Sequence, residues 1–540
     1  MKYRFLLSTA ICIVLLLACS HAAPAKDTGA GENSERYGGT YRAPLLNNPA
    51  NLDPANAQDV YAIEVIQQIF DGLVQFSPDL FVVPALAKNW EVDGNGKTYR
   101  FFLREDATFH NGSPVTAKDV VFSLTRLLKA DSSSTIVSHL LKIKGAQDYL
   151  DGKADHVVGL ETPDDHTVVA RLEEPYAPFL VALGMYQAKI VPMEEVVKDE
   201  KLFSQKPVGS GPFRLVEWEP NKRIVLKNFA NYYRGRPFLD AVEFVIYPGI
   251  QIENVWEDFE SGKLDQMPIY GAIRQKAEQQ QGIQVTHRPS LSLQFYGFNC
   301  QQAHLKDPDL RKALSLAINR EGLVADVLNG QFPVARGILP PGMPGYQPED
   351  NVAGYDLETA RQLIARVNSK NAEPLKSIEI VSNSQSPVAQ TELEYVRKCW
   401  EKLGIQLKPK FIPDWSQFEE YLKSDSLQVY RYAYFADMPD PDDILRPLFA
   451  SYGAFNYMRY SNPKVDQLLQ GALGIVDVVK RARLYQDIED IVQNSYPIIP
   501  LIYLSKDFAY QPYVEGVQLS ASGVANISYY EVWLKKNHSK

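Results

Sequence analysis

Carboxylates crowd one short stretch of this 540-residue chain, Asp437-Met-Pro-Asp440-Pro-Asp442-Asp443, and a cluster of that kind invites a calcium reading. The turn glycine and the distal bidentate glutamate of a calcium loop are missing, so the spacing argues against an EF-hand-like site. Histidines stand at 21, 110, 139, 156, 166, 287, 304 and 538, and none pairs at the three-to-five-residue spacing usual for zinc. Val208-Gly-Ser-Gly-Pro212 places a serine between glycines, but the proline directly after Gly211 blocks the helix that a nucleophile elbow needs. It reads as a turn entering a strand. Neither a phosphate loop nor a dinucleotide fingerprint is present. The residues point away from catalysis, metal and cofactor, although an exported hydrolase stays among the classes to be weighed.

The first residues set the compartment. Lys2 and Arg4 precede an apolar run, Phe5 to Ala18, which is the layout of a secretory signal and is shorter than the roughly 20 apolar residues of a membrane span. The run closes on Leu16-Leu17-Ala18-Cys19, which resembles the bacterial lipobox and makes Cys19 the candidate lipidation site. Leu17 stands where Ala or Ser is more usual, and plain secretion with cleavage near Ala22-Ala23 is the alternative. From Cys19 to Arg36 the chain is small, polar and aperiodic, as a flexible tether would be.

Composition is that of a globular protein, 45% hydrophobic and 22% charged, and the length calls for two or three domains. A net charge of −9 argues against nucleic acid or anionic lipid as a general partner. Cys300 and Cys399 are left either to form one disulfide or to remain buried thiols.

Elements able to position a site alternate between strand and helix. Asn89 to Val92 and Thr98 to Leu103 flank Asp93-Gly-Asn-Gly96, a turn rich in residues that accept positive φ, and predict a hairpin. Helices are predicted from Thr116 to Leu128, from Asp309 to Asn329, from Thr391 to Gly404 and from Arg481 to Gln493, each with apolar residues on one side. The alternation describes an α/β protein in several lobes.

The segment from Ala85 to Leu128, ALAKNWEVDGNGKTYRFFLREDATFHNGSPVTAKDVVFSLTRLL, resembles the signature region of the bacterial oligopeptide- and dipeptide-binding proteins of ABC importers, the family 5 extracellular solute-binding proteins. The matching marks are Trp90, Gly96, Phe101 to Arg104, Phe109 to Pro114 and Ala117 to Ser123. Further matches run through Asn51-Leu-Asp-Pro54, Gly209-Ser-Gly-Pro-Phe213, Leu310 to Arg320, Asn462 to Asp466 and Tyr496 to Leu501. The resemblance implies a two-lobed class II periplasmic-binding-protein fold with an extra domain inserted in the first lobe. The expected division is a signal peptide at 1–18, a tether at 19–36, and lobe 1 at 37–57, 169–290 and 497–540. The inserted domain is expected at 58–168 and lobe 2 at 291–496, with a hinge near Ser290 and Pro497. It also implies no cofactor, a monomer held by its lipid alone, and an ABC permease with its ATPase as partners.

In peptide-binding members an aspartate of lobe 2 holds the ligand's α-amino group, and Ala433-Tyr434-Phe435-Ala436-Asp437 lines up with its segment. Asp437 is therefore the expected ammonium grip, with Tyr434 as a flat wall where many members have Trp, and Ala433 beside it. A carboxylate in a closed cleft makes a charge-assisted bond to an ammonium and disfavours ligands lacking one. The competing role for Asp437 is a cap of the loop or helix that follows; Asp440, Asp442 and Asp443 read as caps and solvated loop. Asn383 falls where dipeptide binders carry an arginine for the ligand carboxylate, which favours longer peptides paired along Asn48 to Asn51. Trp415 and Gln417 are further cleft candidates, Trp415 alternatively core. Members of the family also carry nickel chelates, haem, murein peptides, opines and oligosaccharides.

Overall fold

The computed structural model describes residues 35–129, 134–249, 252–348, 354–371, 373–519, 521 and 528–536. The signal segment, most of the tether and Cys19 lie outside them. Among the described residues no helix is long and apolar enough to cross a membrane.

The first lobe is built on a four-stranded sheet. Thr40–Leu45 lies parallel to Ala241–Ile246, which continues antiparallel through Arg223–Asn228 to Phe213–Glu219. A three-stranded sheet completes the lobe, with Ser505–Tyr510 between Gln266–Ile269 and Gln284–Pro289. The helix Val60–Ile69, capped by the Asp59 carboxylate on the Ala62 amide, buries Ala62, Val65, Ile66 and Ile69 in the core beneath the larger sheet.

An inserted domain follows. Its sheet runs Ala87–Val92, Thr98–Leu103, Thr167–Arg171, Leu160–Asp164, all antiparallel. The predicted hairpin turn is realised: Gly96 takes φ +70°, and the Asp93 carboxylate accepts from the amides of Lys97 and Thr98 at 3.0 and 3.1 Å. Thr116 opens the helix Ala117–Thr125 through a capping box, with its own amide donating to Asp119 at 3.0 Å. This domain's core extends from Leu73 to Ile190. The expected limits of 58 and 168 are both displaced. The helix at 60–69 serves the lobe 1 core, and residue 168 falls inside the Thr167–Arg171 strand.

Lobe 2 carries a five-stranded sheet in the order Gln406–Phe411, Ser377–Ser382, Val429–Phe435, Ser292–Phe298, Ile498–Ile502. One face buries Leu293, Phe295, Tyr430 and Tyr432; the other buries Tyr296, Phe298, Ile378 and Ile380 under helices. The helix Pro387–Glu401 begins at a Ser386 cap, four residues ahead of its predicted start, and its Trp400 indole donates to the Leu314 carbonyl at 3.0 Å. The helix expected over 309–329 is two, Pro308–Leu316 and Arg320–Asp326, because the Asn319 side chain caps the second at the Gly322 amide. Ile498–Ile502 pairs with Ser292–Phe298, so lobe 2 reaches Ile502 rather than stopping at 496. The crossings accordingly lie at Ser290 and Leu504, joined by a Ser290 amide to Leu504 carbonyl bond of 2.7 Å.

Cys300 and Cys399 are both free thiols. Of the two alternatives, the structure takes the free thiols: Cys399 is buried among the helices on one face of the lobe 2 sheet. Cys300, just past the Ser292–Phe298 strand, donates to the Phe298 carbonyl at 3.5 Å.

Candidate functional site

A cavity of about 950 Å³ opens where lobe 1, the inserted domain and lobe 2 meet. Lobe 1 contributes Ala55 to Gln58, Val60, Ile63, Gln67 and Lys506. The inserted domain contributes Phe76, Arg126, Thr135, Tyr186 and Gln187, and lobe 2 contributes Phe435, Ala436 and Asp437. A polar-spotted concavity of this size falls within the range used for small-molecule ligands.

The loop carrying Asp437 is fixed by its neighbours. The Asp443 carboxylate accepts from the amides of Asp437 and Met438 at 2.6 and 3.1 Å, folding the loop back on the helix Asp442–Phe449. Asp440, expected as a cap or solvated loop, accepts from the Asp442 amide at 2.9 Å and is buried in an ion pair with Arg481, whose Nη2 donates to it at 2.8 Å. Asp442 receives Arg446 through two bonds of 2.7 and 2.9 Å, and the Tyr485 hydroxyl at 3.0 Å. Met438 inserts into the inserted domain's core. Asp437 itself caps no helix, since the position before Asp442 is Pro441 with no side-chain cap. Its carboxylate stands in the cavity, accessible to solvent yet walled by protein. Burial pushes its pKa up, moderated by a hydrogen bond from Thr135. Asp443 is pushed further, to about 7, by burial and by the Asp437 charge, against the two amide bonds that favour its anion.

The other expected contacts are redistributed. Strand alternation sends Tyr434 to the face opposite Phe435, where its hydroxyl donates to the Asp443 carbonyl at 2.8 Å and its ring meets Phe455 edge-on. Phe435, 53% exposed, supplies the flat wall instead. Ala433 pairs with Gln294 within the sheet and does not line the cavity. Trp415 opens the helix Trp415–Lys423 and packs on Phe418 and Tyr432, also away from the cavity, while the Gln417 amide is held by Asp414. Asn51 is spent on its own loop: its oxygen accepts from the Asp53 amide at 3.0 Å and its nitrogen donates to the Asn56 carbonyl at 3.3 Å. Ala55 to Gln58, the next turn of chain, faces the cavity in its place.

Several lining residues escaped the sequence reading. Arg126 holds the Asp53 carboxylate through bonds of 2.8 and 2.7 Å and Glu200 through one of 2.7 Å, clamping the inserted domain to the 51–56 turn. Tyr186 donates to the Ala57 carbonyl at 3.0 Å across the same seam. Both are joined to the site only by tertiary packing, so no local pattern marks them.

His110 reaches the Gly209-Ser-Gly211 turn, and its geometry is that of a latch. His110 Nδ1 accepts from the Gly209 amide at 3.2 Å, which fixes Nε2 as the donor to the Gly211 carbonyl at 3.0 Å. With both nitrogens bound to backbone, and burial holding the imidazole down at about 4, His110 has no base function to offer a serine. The glycines are required here: a Cβ on Gly209 would sit 2.0 Å from the Ile69 carbonyl oxygen.

Residues 82–456 match the family of bacterial extracellular solute-binding proteins, family 5 Middle, over more than half the chain. The chain belongs to that family. It is 28% identical to a protein named heme-binding protein A of Haemophilus influenzae, over 97% of this chain and 98% of that protein. It is equally 28% identical to the dipeptide-binding protein of Escherichia coli, covering 80% of this chain and 83% of that one. Among solved structures, an unliganded open form of the murein tripeptide-binding protein MppA superposes with a TM-score of 0.82 at 25% identity, covering 92% of this chain and 97% of that chain. The two-lobed fold is thus that of the family, and its relatives are named as binding proteins.

Proposed function

We propose that this protein is the receptor of an ABC importer, capturing a peptide or a related amine-bearing solute in the cleft and delivering it to a membrane permease and its ATPase. The observation that carries the reading is the Asp437 carboxylate, presented by lobe 2 into a 950 Å³ cavity shared with lobe 1 and the inserted domain. A ligand ammonium there would replace water with a charge-assisted bond and draw the lobes together. Relatives named for dipeptides and for a murein tripeptide support a peptide ligand. Cys19, lipidated, would keep the receptor concentrated beside its permease.

Native mass spectrometry of protein purified from its own host tests the reading by identifying the bound solute. A co-purified peptide upholds it; a metal chelate, haem or sugar without an amine replaces the ligand class. Turnover of peptides by the purified protein would sink the receptor reading in favour of a hydrolase.

A further inference from the structure

The charges lining the cavity fall into two groups. Arg126 is committed to Asp53 and Glu200, and Lys129 sits 3.3 Å from the same Glu200. Lys506 and Asp437 remain. Among the described residues neither has an oppositely charged group within 4.0 Å. Lys506 is the second residue of the Ser505–Tyr510 strand, directly past the crossing at Leu504, so it approaches the cavity from the hinge while Asp437 approaches from lobe 2. The carboxylate that acts on Lys506 is Glu64, which is held by the Tyr529 hydroxyl at 3.3 Å. Burial lifts Glu64 to about 7, against the pull of the Lys506 charge and the Tyr529 hydrogen bond. Desolvation by the surrounding protein pulls Lys506 down to about 8, against the Glu64 charge, which raises it. Lys506, solvent-exposed, lining the cavity and without a close ion pair among the described residues, is available to an anion.

We propose that Lys506 binds a carboxylate of the ligand, so that the cleft selects a zwitterion with its amine on Asp437 and its carboxylate at the hinge. The proposal rests on the reading of Asp437 as the ammonium grip and adds the opposite end of the ligand. It also relocates anion recognition: Asn383 supplies no cation in lobe 2, and the hinge strand does so instead.

The test uses an equimolar library of tri- to pentapeptides in three forms, with free termini, C-terminally amidated and N-acetylated, equilibrated with the mature protein and quantified by mass spectrometry. Free acids are expected to be retained at least tenfold over amides. Lys506→Gln should bring acids and amides within about twofold while keeping the preference over acetylated forms; Lys506→Arg should preserve the acid preference. Equal retention of acids and amides by the unmodified protein overturns the Lys506 assignment, as does a Lys506→Gln variant that weakens both alike. Equal retention of acetylated and free forms overturns the role of Asp437 alone. Retention of no peptide form overturns both readings.

Discussion

Four aspartates lie within seven residues of one loop, and the structure puts them to opposite uses. Asp440 and Asp442 are buried and saturated, each gripping an arginine and each sharing the Tyr485–Arg481 hydroxyl and guanidinium network beneath the loop. Asp437, at the loop's tip, has only a threonine hydroxyl and faces the cavity. The saturated pair builds the platform, and the unsaturated carboxylate is what the platform presents. A charge cluster in sequence therefore does not announce a site; its unpaired member does.

Breaking the platform should cost most. Asp440→Ala leaves Arg481 buried and uncompensated, and is expected to destabilise lobe 2 by about 3–5 kcal/mol in denaturant unfolding. Peptide affinity should fall with it. Asp437→Asn should separate the two roles: affinity for a free-amine peptide falls about thirtyfold or more, near 2 kcal/mol, while the unfolding midpoint stays put. An unchanged affinity in titration calorimetry would show that Asp437 is platform after all.

Asp443, between the two classes, gives a pH signature. Its folded pKa of about 7 lies above the unfolded value, so the folded state holds more protons between about pH 4 and 7. Its contribution is fully present below the unfolded pKa and is lost as pH rises through 7. Asp443→Asn, which keeps an acceptor oxygen for the Asp437 and Met438 amides, should flatten that part of the stability profile measured by thermal unfolding from pH 4 to 8. The smallest effect is expected at Trp415, half exposed and away from the cavity: Trp415→Ala should leave peptide affinity within about twofold and stability within about 1 kcal/mol.

What the sequence made legible was local. The Asp93–Gly96 hairpin and the Thr116 capping box follow from residue types whose geometry is decided within a few positions. Asp437 was visible because its segment resembles a family pattern. Tyr434 was misplaced because the face a strand residue takes depends on register against Ser292–Phe298, not on its own identity. The extent of the inserted domain was missed because Val60–Ile69 is amphipathic whichever core receives it. Lys506 carries no motif; only the crossing at Leu504 brings it to the cavity.

Met438 bears on what holds the lobes to one another. Its side chain belongs to lobe 2 in sequence but is 2% exposed within the core of the inserted domain, and the Ala177 amide nearby donates to the Leu473 carbonyl at 2.7 Å across the same boundary. In a structure that superposes on an unliganded open form, the buried thioether contributes about 2 kcal/mol to holding the lobe 2 loop on the inserted domain.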